Sequence, residues 1–304
     1  MNRLSCWAAL LPLATALWGC DDPLEKAQII QGTRVLGAHV EVEGDPERAA
    51  PAPGEAASVS WLTAAPEPNP EVGYAFVACL SAPVNVGAGR CDTPPFASDV
   101  SAAPSADGPL FRFEVPADAD LEKTPFLNVL GVICSGANPE GDAATATCPG
   151  GERGTRVALA LALAGFDDVP NKNPNFAQDA VLFDGEAWSP DADGAAPCTD
   201  GRRVKSSTAH EVTLVAEADA REPRPKEIES DPAREGLLFS HFSSKGELNR
   251  PFSELPPEAA ASDVRVAWTA PGEINAAEPV YFWFVLRDLR GGSTFERRSL
   301  CVEP

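Results

Sequence analysis

The most reactive side chains of this sequence are its eight cysteines, and their number points to disulfide bonds. Cys6 lies in an apolar N-terminal run and Cys20 closes that run, which leaves six cysteines in the remaining chain. An even number of cysteines in an exported protein is typical of a disulfide framework. Many pairings are possible, and we favour three that close turn-rich loops or join distant segments: Cys79–Cys91, Cys134–Cys148 and Cys198–Cys301.

A zinc site is the alternative use of these cysteines and of the three histidines. The sequence has no CxxC pair, and its cysteines are not interleaved with histidines as in zinc sites. His210-Glu211 begins like the zinc-protease motif HExxH, but Leu214 stands where the second histidine belongs. That motif needs both imidazoles on one helical face, whereas this segment alternates as a strand, so we expect no metal here.

Other catalytic motifs are missing as well. The sequence contains no GxSxG nucleophile elbow and no glycine-rich phosphate loop of the GxGxxG or GxxxxGKS/T type. We therefore expect a protein without enzymatic activity and without an organic cofactor. Calcium, which prefers closely spaced carboxylates, is the one cofactor the sequence permits, although solvated acidic turns are the favoured interpretation. The candidate ligands are Asp118, Asp120, Glu122, Asp191 and Asp193.

The N-terminal segment has the features of an export signal. Its apolar run, about residues 7–18, is shorter than the ~20 residues that a membrane-spanning helix needs. Leu17-Trp18-Gly19-Cys20 resembles the lipobox of bacterial lipoproteins, with Trp18 bulkier than the small residue usual there. The resemblance implies lipidation of Cys20 and an extracytoplasmic location on a bacterial membrane. An ordinary cleaved signal peptide is the alternative.

The net charge of -21 limits the partners of the protein. A chain with such an excess of acidic residues repels phosphate backbones, so nucleic-acid binding is not expected. The partners that remain are the membrane, reached through the lipid anchor, and an envelope protein or glycan.

Alternating apolar residues predict strands throughout the chain, without helical periodicity. In residues 33–42, Leu36, Ala38, Val40 and Val42 are predicted to share one face. Short strands separated by glycine and proline favour an all-β fold of two antiparallel sandwiches. The predicted divisions are a signal peptide (1–19), a tether (20–32), a first sandwich (33–165), a linker (166–179) and a second sandwich (180–304).

Two hairpins carry a resemblance to immunoglobulin-like domains. Pro53-Gly54-Glu55 before an alternating strand looks like the first hairpin of bacterial immunoglobulin-like domains. The segment from Val285 to Gly292 is similar to the last hairpin of PKD-type modules. The resemblance implies immunoglobulin-like sandwiches and says little about function, because such sandwiches host unrelated activities.

The function expected from the sequence is a non-enzymatic binding or scaffolding role in the cell envelope. The alternative is an accessory protein that binds or hydrolyses carbohydrate through an exposed aromatic platform. Trp188 is the candidate for that platform, because it is the tryptophan of the mature chain that lies outside a well-formed predicted strand.

Overall fold

The computed structural model describes residues 26–83, 89–151, 154–166, 169–190, 196–223 and 234–304. Cys20, Asp191 and Asp193 lie outside the described residues. The sheets are antiparallel apart from one short parallel pair, so the predicted all-β sandwich class is confirmed. In the described part of the chain, helix is limited to a 3-10 turn, Pro149–Gly151, and a short α-helix, α1 (Pro197–Asp200).

The first sandwich is built from the strands β1 (Arg34–Val42), β2 (Ala56–Ala64), β3 (Val72–Ser81), β4 (Ala97–Val100), β5 (Leu110–Glu114), β6 (Phe126–Ser135) and β7 (Thr155–Ala162). One sheet has the order β1-β2-β5 and the other has the order β4-β3-β6-β7. Strands β1 and β7 are therefore sheet edges, and they border the same side of the sandwich.

Every second residue of these strands enters a common core, as the alternation predicts. Val59 and Trp61 of β2 pack with Phe76 of β3 and Leu161 of β7. The Trp61 ring stacks on the Phe76 ring with 5.5 Å between centroids. The core thus joins the inner faces of the two sheets.

Because of a bulge in β1, the prediction that Leu36 and Val40 share one face is wrong. The pairing with β2 shifts register between Val35 and Gly37. A register shift of one residue sends the following side chains to the opposite face. Val40 therefore lies in the sandwich core, whereas Leu36, predicted on the same face, packs outside it against the second sandwich.

The second sandwich is built from β8 (Phe176–Phe183), β9 (Glu186–Ala187), β10 (Arg203–Lys205), β11 (Ala209–Ala216), β12 (Leu237–Ser243), β13 (Glu247–Leu248), β14 (Phe252–Leu255), β15 (Asp263–Thr269), β16 (Glu278–Arg287) and β17 (Ser293–Glu303). One sheet has the order β10-β17-β16-β12-β14 and the other has the order β13-β15-β11-β8-β9. Its core includes Trp268, Phe282 and Phe284.

All six cysteines of the described chain form the three disulfides favoured from the sequence. Cys79–Cys91 and Cys134–Cys148 close loops of the first sandwich, and Cys198–Cys301 ties α1 to β17. Bonds of this kind persist in oxidising compartments and indicate an extracytoplasmic protein. None of the described residues forms a helix of the length and apolarity needed to cross a bilayer.

The two sandwiches pack against each other through a third apolar cluster. Leu36 of β1 and Leu62 of β2 meet Trp283 and Val285 of β16, and all four side chains are buried. Strand β16 is therefore covered on both faces, which explains why its sequence is almost continuously apolar. This cluster fixes β1 against the hairpin formed by β16 and β17.

Candidate functional site between the sandwiches

A cleft of about 500 Å³ opens where β1, β7 and the turn between β16 and β17 meet. This volume lies within the ~300–1,000 Å³ usual for ligand sites. We call it the junction cleft. It is lined by residues 35–38 of β1, residues 155–160 of β7, Trp61, Arg287, Leu289 and residues 291–293.

Trp61 provides a polar group at the cleft that has no partner. The side chain is only 7% exposed, and its Nε1–H makes no hydrogen bond to any described residue. Leaving a buried donor unpaired costs about 1–3 kcal/mol. The nitrogen itself has less than 1 Å² of accessible surface, so a molecule in the cleft would reach it only after neighbouring side chains moved.

On the β1 side of the cleft, the outward backbone carbonyls already accept hydrogen bonds from the second sandwich and from Asn173. Alternate carbonyls of this edge point away from β2. Side chains of Arg287 and Ser293 donate to the carbonyls of Leu36 and Ala38. Asn173 Nδ2 donates to the carbonyl of Val40 at 2.6 Å. Burial also lowers the pKa of the Arg287 guanidinium.

The β7 side of the cleft is different, because its outer backbone has no partner. The amide of Leu163 donates to the carbonyl of Pro125 at 2.8 Å, at the end of the β6–β7 ladder. Since bonding alternates along an antiparallel pair, odd-numbered residues of β7 bond to β6 and even-numbered residues point outward. The outward groups have no hydrogen bond to described residues; they belong to Arg156, Ala158, Ala160 and Ala162.

The turn at the rim of the cleft is held by Asp288. Its Oδ1 accepts hydrogen bonds from the amides of Arg290, Gly291 and Gly292 at 2.7–3.1 Å. The turn places Leu289 at φ 69° with 73% of its surface exposed. A large apolar side chain is thus presented at the mouth of the cleft.

Two buried carboxyls lie behind this turn. Burial raises the pKa of Asp288 to about 6 and the pKa of Glu235 to about 7, although Arg290 favours the charged form of both. Arg290 Nη1 lies 2.7 Å from Glu235 Oε1, and Asn171 Nδ2 donates to Asp288 Oδ2 at 2.9 Å. Through these contacts, Asn171 and Val169 are joined to the β16–β17 turn of the second sandwich.

The sequence-based calcium candidates do not form a site in the part of the structure described. Asp120 accepts from Lys123 Nζ at 2.7 Å and from the amides of Glu122 and Lys123. Its carboxylate therefore caps a turn. No group of three or more His, Cys, Asp or Glu side chains among the described residues is arranged to hold a metal ion. Asp191 and Asp193 lie outside those residues.

One triad-like arrangement was not anticipated from the sequence. His210 lies 2.7 Å from both Asp184 Oδ2 and Thr208 Oγ1. Thr208 Oγ1 also lies 2.5 Å from the carbonyl oxygen of Lys205, which can only accept a hydrogen bond. The single hydroxyl hydrogen of Thr208 is thereby engaged with the backbone, so His210 has no proton to abstract as a general base would.

The aromatic platform predicted at Trp188 is wrong. Its side chain is 5% exposed, and its ring packs edge-on against Phe183 and Phe282 with centroids 5.0 and 5.2 Å away. Its Nε1–H donates to the carbonyl of Ser299. Trp188 is buried because the segment after β8 turns back into the sandwich core, which the sequence around it did not reveal.

Basic residues near Cys198 and Cys301 are brought together because β10 pairs with β17. Their charges are used within the structure, since Arg203 and Lys205 both pair with Glu303. Arg298 is buried and pairs with Glu296. They do not form a free anion-binding patch.

No protein-family model matches the sequence, and no curated protein matches it. Among solved structures, the chain is similar to the native conformation of alpha-2-macroglobulin from E. coli, determined by cryo-EM. The sequence identity is 9%, the match covers 90% of this chain and 17% of that chain, and the TM-score is 0.26. The chain thus spans about a sixth of that protein's length. A likeness at this level carries no functional argument.

Proposed function

We propose that this protein is a lipid-anchored component of the bacterial cell envelope that binds a partner in the junction cleft without catalysing a reaction. The lipobox-like segment ending at Cys20 supports the anchor. The three disulfides agree with an envelope location. The glycan-binding alternative loses its main support, because Trp188 is buried.

The observation that carries the binding role is the cleft itself, which lies between the two packed sandwiches. Ligand sites are usually concave, mainly apolar and supplied with a few polar groups that orient the ligand. The junction cleft combines a mainly apolar lining with the exposed side chains of Arg156 on one wall and Leu289 at its rim.

Site-specific photo-crosslinking tests this role. A photoreactive amino acid replaces Leu289 at the rim in one version of the full chain and exposed Phe252 on β14 in a control version. Irradiation of intact envelopes should give a discrete adduct from position 289 and none from position 252. Absence of an adduct at position 289, or equal labelling at both positions, would contradict the proposal.

The anchor has its own test. Cys20→Ser removes the sulfur that a lipid would modify, so the protein should move from the membrane fraction to the soluble fraction. Mass spectrometry of the unchanged protein should find an acylated Cys20 at the mature N-terminus. An unmodified cysteine there would exclude lipid anchoring.

A further inference from the structure

We propose that the partner enters the junction cleft as an extended acidic peptide segment and pairs with β7 as an additional strand of the four-stranded sheet. This inference rests on the proposed function and specifies the chemistry of the partner. Recognition of this kind draws affinity from main-chain hydrogen bonds and specificity from pockets for alternate side chains.

The backbone of β7 is suited to such pairing. The N–H and C=O groups of Arg156, Ala158, Ala160 and Ala162 point away from β6 and bond to no described residue. An unpaired row of this kind is a template for another strand unless a protein covers or charges it. Gly291 of the β16–β17 turn packs beside the carbonyl of Ala160, so the open stretch of this edge lies at Arg156 and Ala158.

Concave surfaces lie on both faces of the same strand. The junction cleft borders Thr155–Ala160 on the side of the core. A second cavity, of about 320 Å³, borders residues 156–158 on the outer face, with Leu130 of β6 and Ala146 among its other walls. Side chains of an added strand would point alternately to the two faces, so each cavity would receive every second residue.

The charge of this edge selects an acidic partner. Arg156 borders both cavities and is exposed, and its guanidinium forms no ion pair with any described residue. The chain as a whole has a net charge of -21, so most of the surface repels acidic segments. Screening limits that repulsion to about 8 Å at physiological ionic strength, which leaves the nearby cation to set the local preference.

Ala158→Pro provides the test of pairing in the full chain. Proline removes one outward N–H that the fold itself does not use. The adduct from position 289 should fall at least tenfold. Ser98→Pro is the matched control, because the register of β4 on β3 also directs the Ser98 amide outward, at the opposite edge of the same sheet. That control should keep the full adduct yield.

The charge preference has a separate test, which does not depend on whether the proline variant folds. Short synthetic peptides of alternating valine and threonine carry either a central glutamate or a central lysine. Amide exchange followed by NMR should show that the glutamate peptide protects the Ala158 amide more than the lysine peptide does. Arg156→Glu should reverse this order.

Each result bears on a different statement. A persistent adduct in Ala158→Pro, or no protection of the Ala158 amide by either peptide, overturns strand pairing while leaving the cleft as the binding site. If the protein without further substitutions forms no adduct from position 289, the proposed function itself is contradicted. Concentration-dependent protection without peptide would identify a second copy of this chain as the occupant and overturn the acidic partner.

Discussion

At the scale of single residues, the most unusual groups are the buried carboxyls behind the β16–β17 turn. Burial holds the pKa of Glu235 at about 7, against an ordinary value of 4.5. The folded protein therefore binds more protons at this site than the unfolded chain does between these two pH values. Stability from this group is present below about pH 4.5 and is lost as the pH rises through about 7.

Glu235→Gln should flatten this pH dependence. The amide keeps the size of the side chain and its ability to accept a hydrogen bond from Arg290, but it does not titrate. The fall in unfolding free energy between about pH 5 and about pH 8 should shrink by about 2 kcal/mol. Urea titrations at both pH values measure this difference in unfolding free energy, and the exposed substitution Glu254→Gln is the control. An unchanged difference would contradict the assignment.

Residue types predicted the three disulfides correctly. They could not predict Glu235 or Asp288 as buried, because charged residues are usually exposed. Glu235 is 55 residues away from its partner Arg290, and Asp288 is 117 residues away from its partner Asn171, so these pairs form only in the folded chain.

At the scale of elements, the two edges of the junction cleft behave differently. Strand β1 is protected because side chains of Arg287, Ser293 and Asn173 satisfy its outward carbonyls. Strand β7 has no such protection among the described residues. The contrast explains why the cleft stays open on one side only.

Asn173→Ala should destabilise the protein by about 2 kcal/mol, because it leaves the carbonyl of Val40 buried without a donor. Asn249→Ala is the control, since it also removes a side-chain bond to the backbone but at an exposed site. The stability lost in this control should stay below about 1 kcal/mol. Chemical denaturation measures both, and equal losses would contradict this role for Asn173.

Periodicity predicted long strands such as β7, where apolar residues recur at every second position. It missed the edge strands β4, β9, β10, β13 and β14, which have two to four residues each and show no period. It also missed the bulge at Gly37, because a register shift depends on the partner strand. The junction cleft was not predicted either, because its walls come from segments that are distant in sequence.

At the scale of the whole molecule, the apolar cluster between the sandwiches should make them unfold together. Leu36 is 5% exposed and packs in this cluster. Leu36→Glu would bury a charge without a partner, which is strongly unfavourable, so the contact between the sandwiches should open.

Calorimetry should then show two separate transitions in Leu36→Glu, where the unchanged protein shows one. Leu289→Glu is the matched control, because its side chain is 73% exposed. That variant should keep a single transition with nearly the same midpoint. A single transition in both variants would contradict cooperative unfolding through this cluster.

The second sandwich supplies hydrogen-bond donors to the edge of β1, and this affects whether either sandwich can be produced without the other. A fragment holding only the first sandwich would lack the donors of Arg287 and Ser293, so the edge of β1 would face water as well as the edge of β7. Such a fragment should aggregate, and grafting it onto an unrelated domain should fail for the same reason. The two halves should therefore be produced and engineered as one piece.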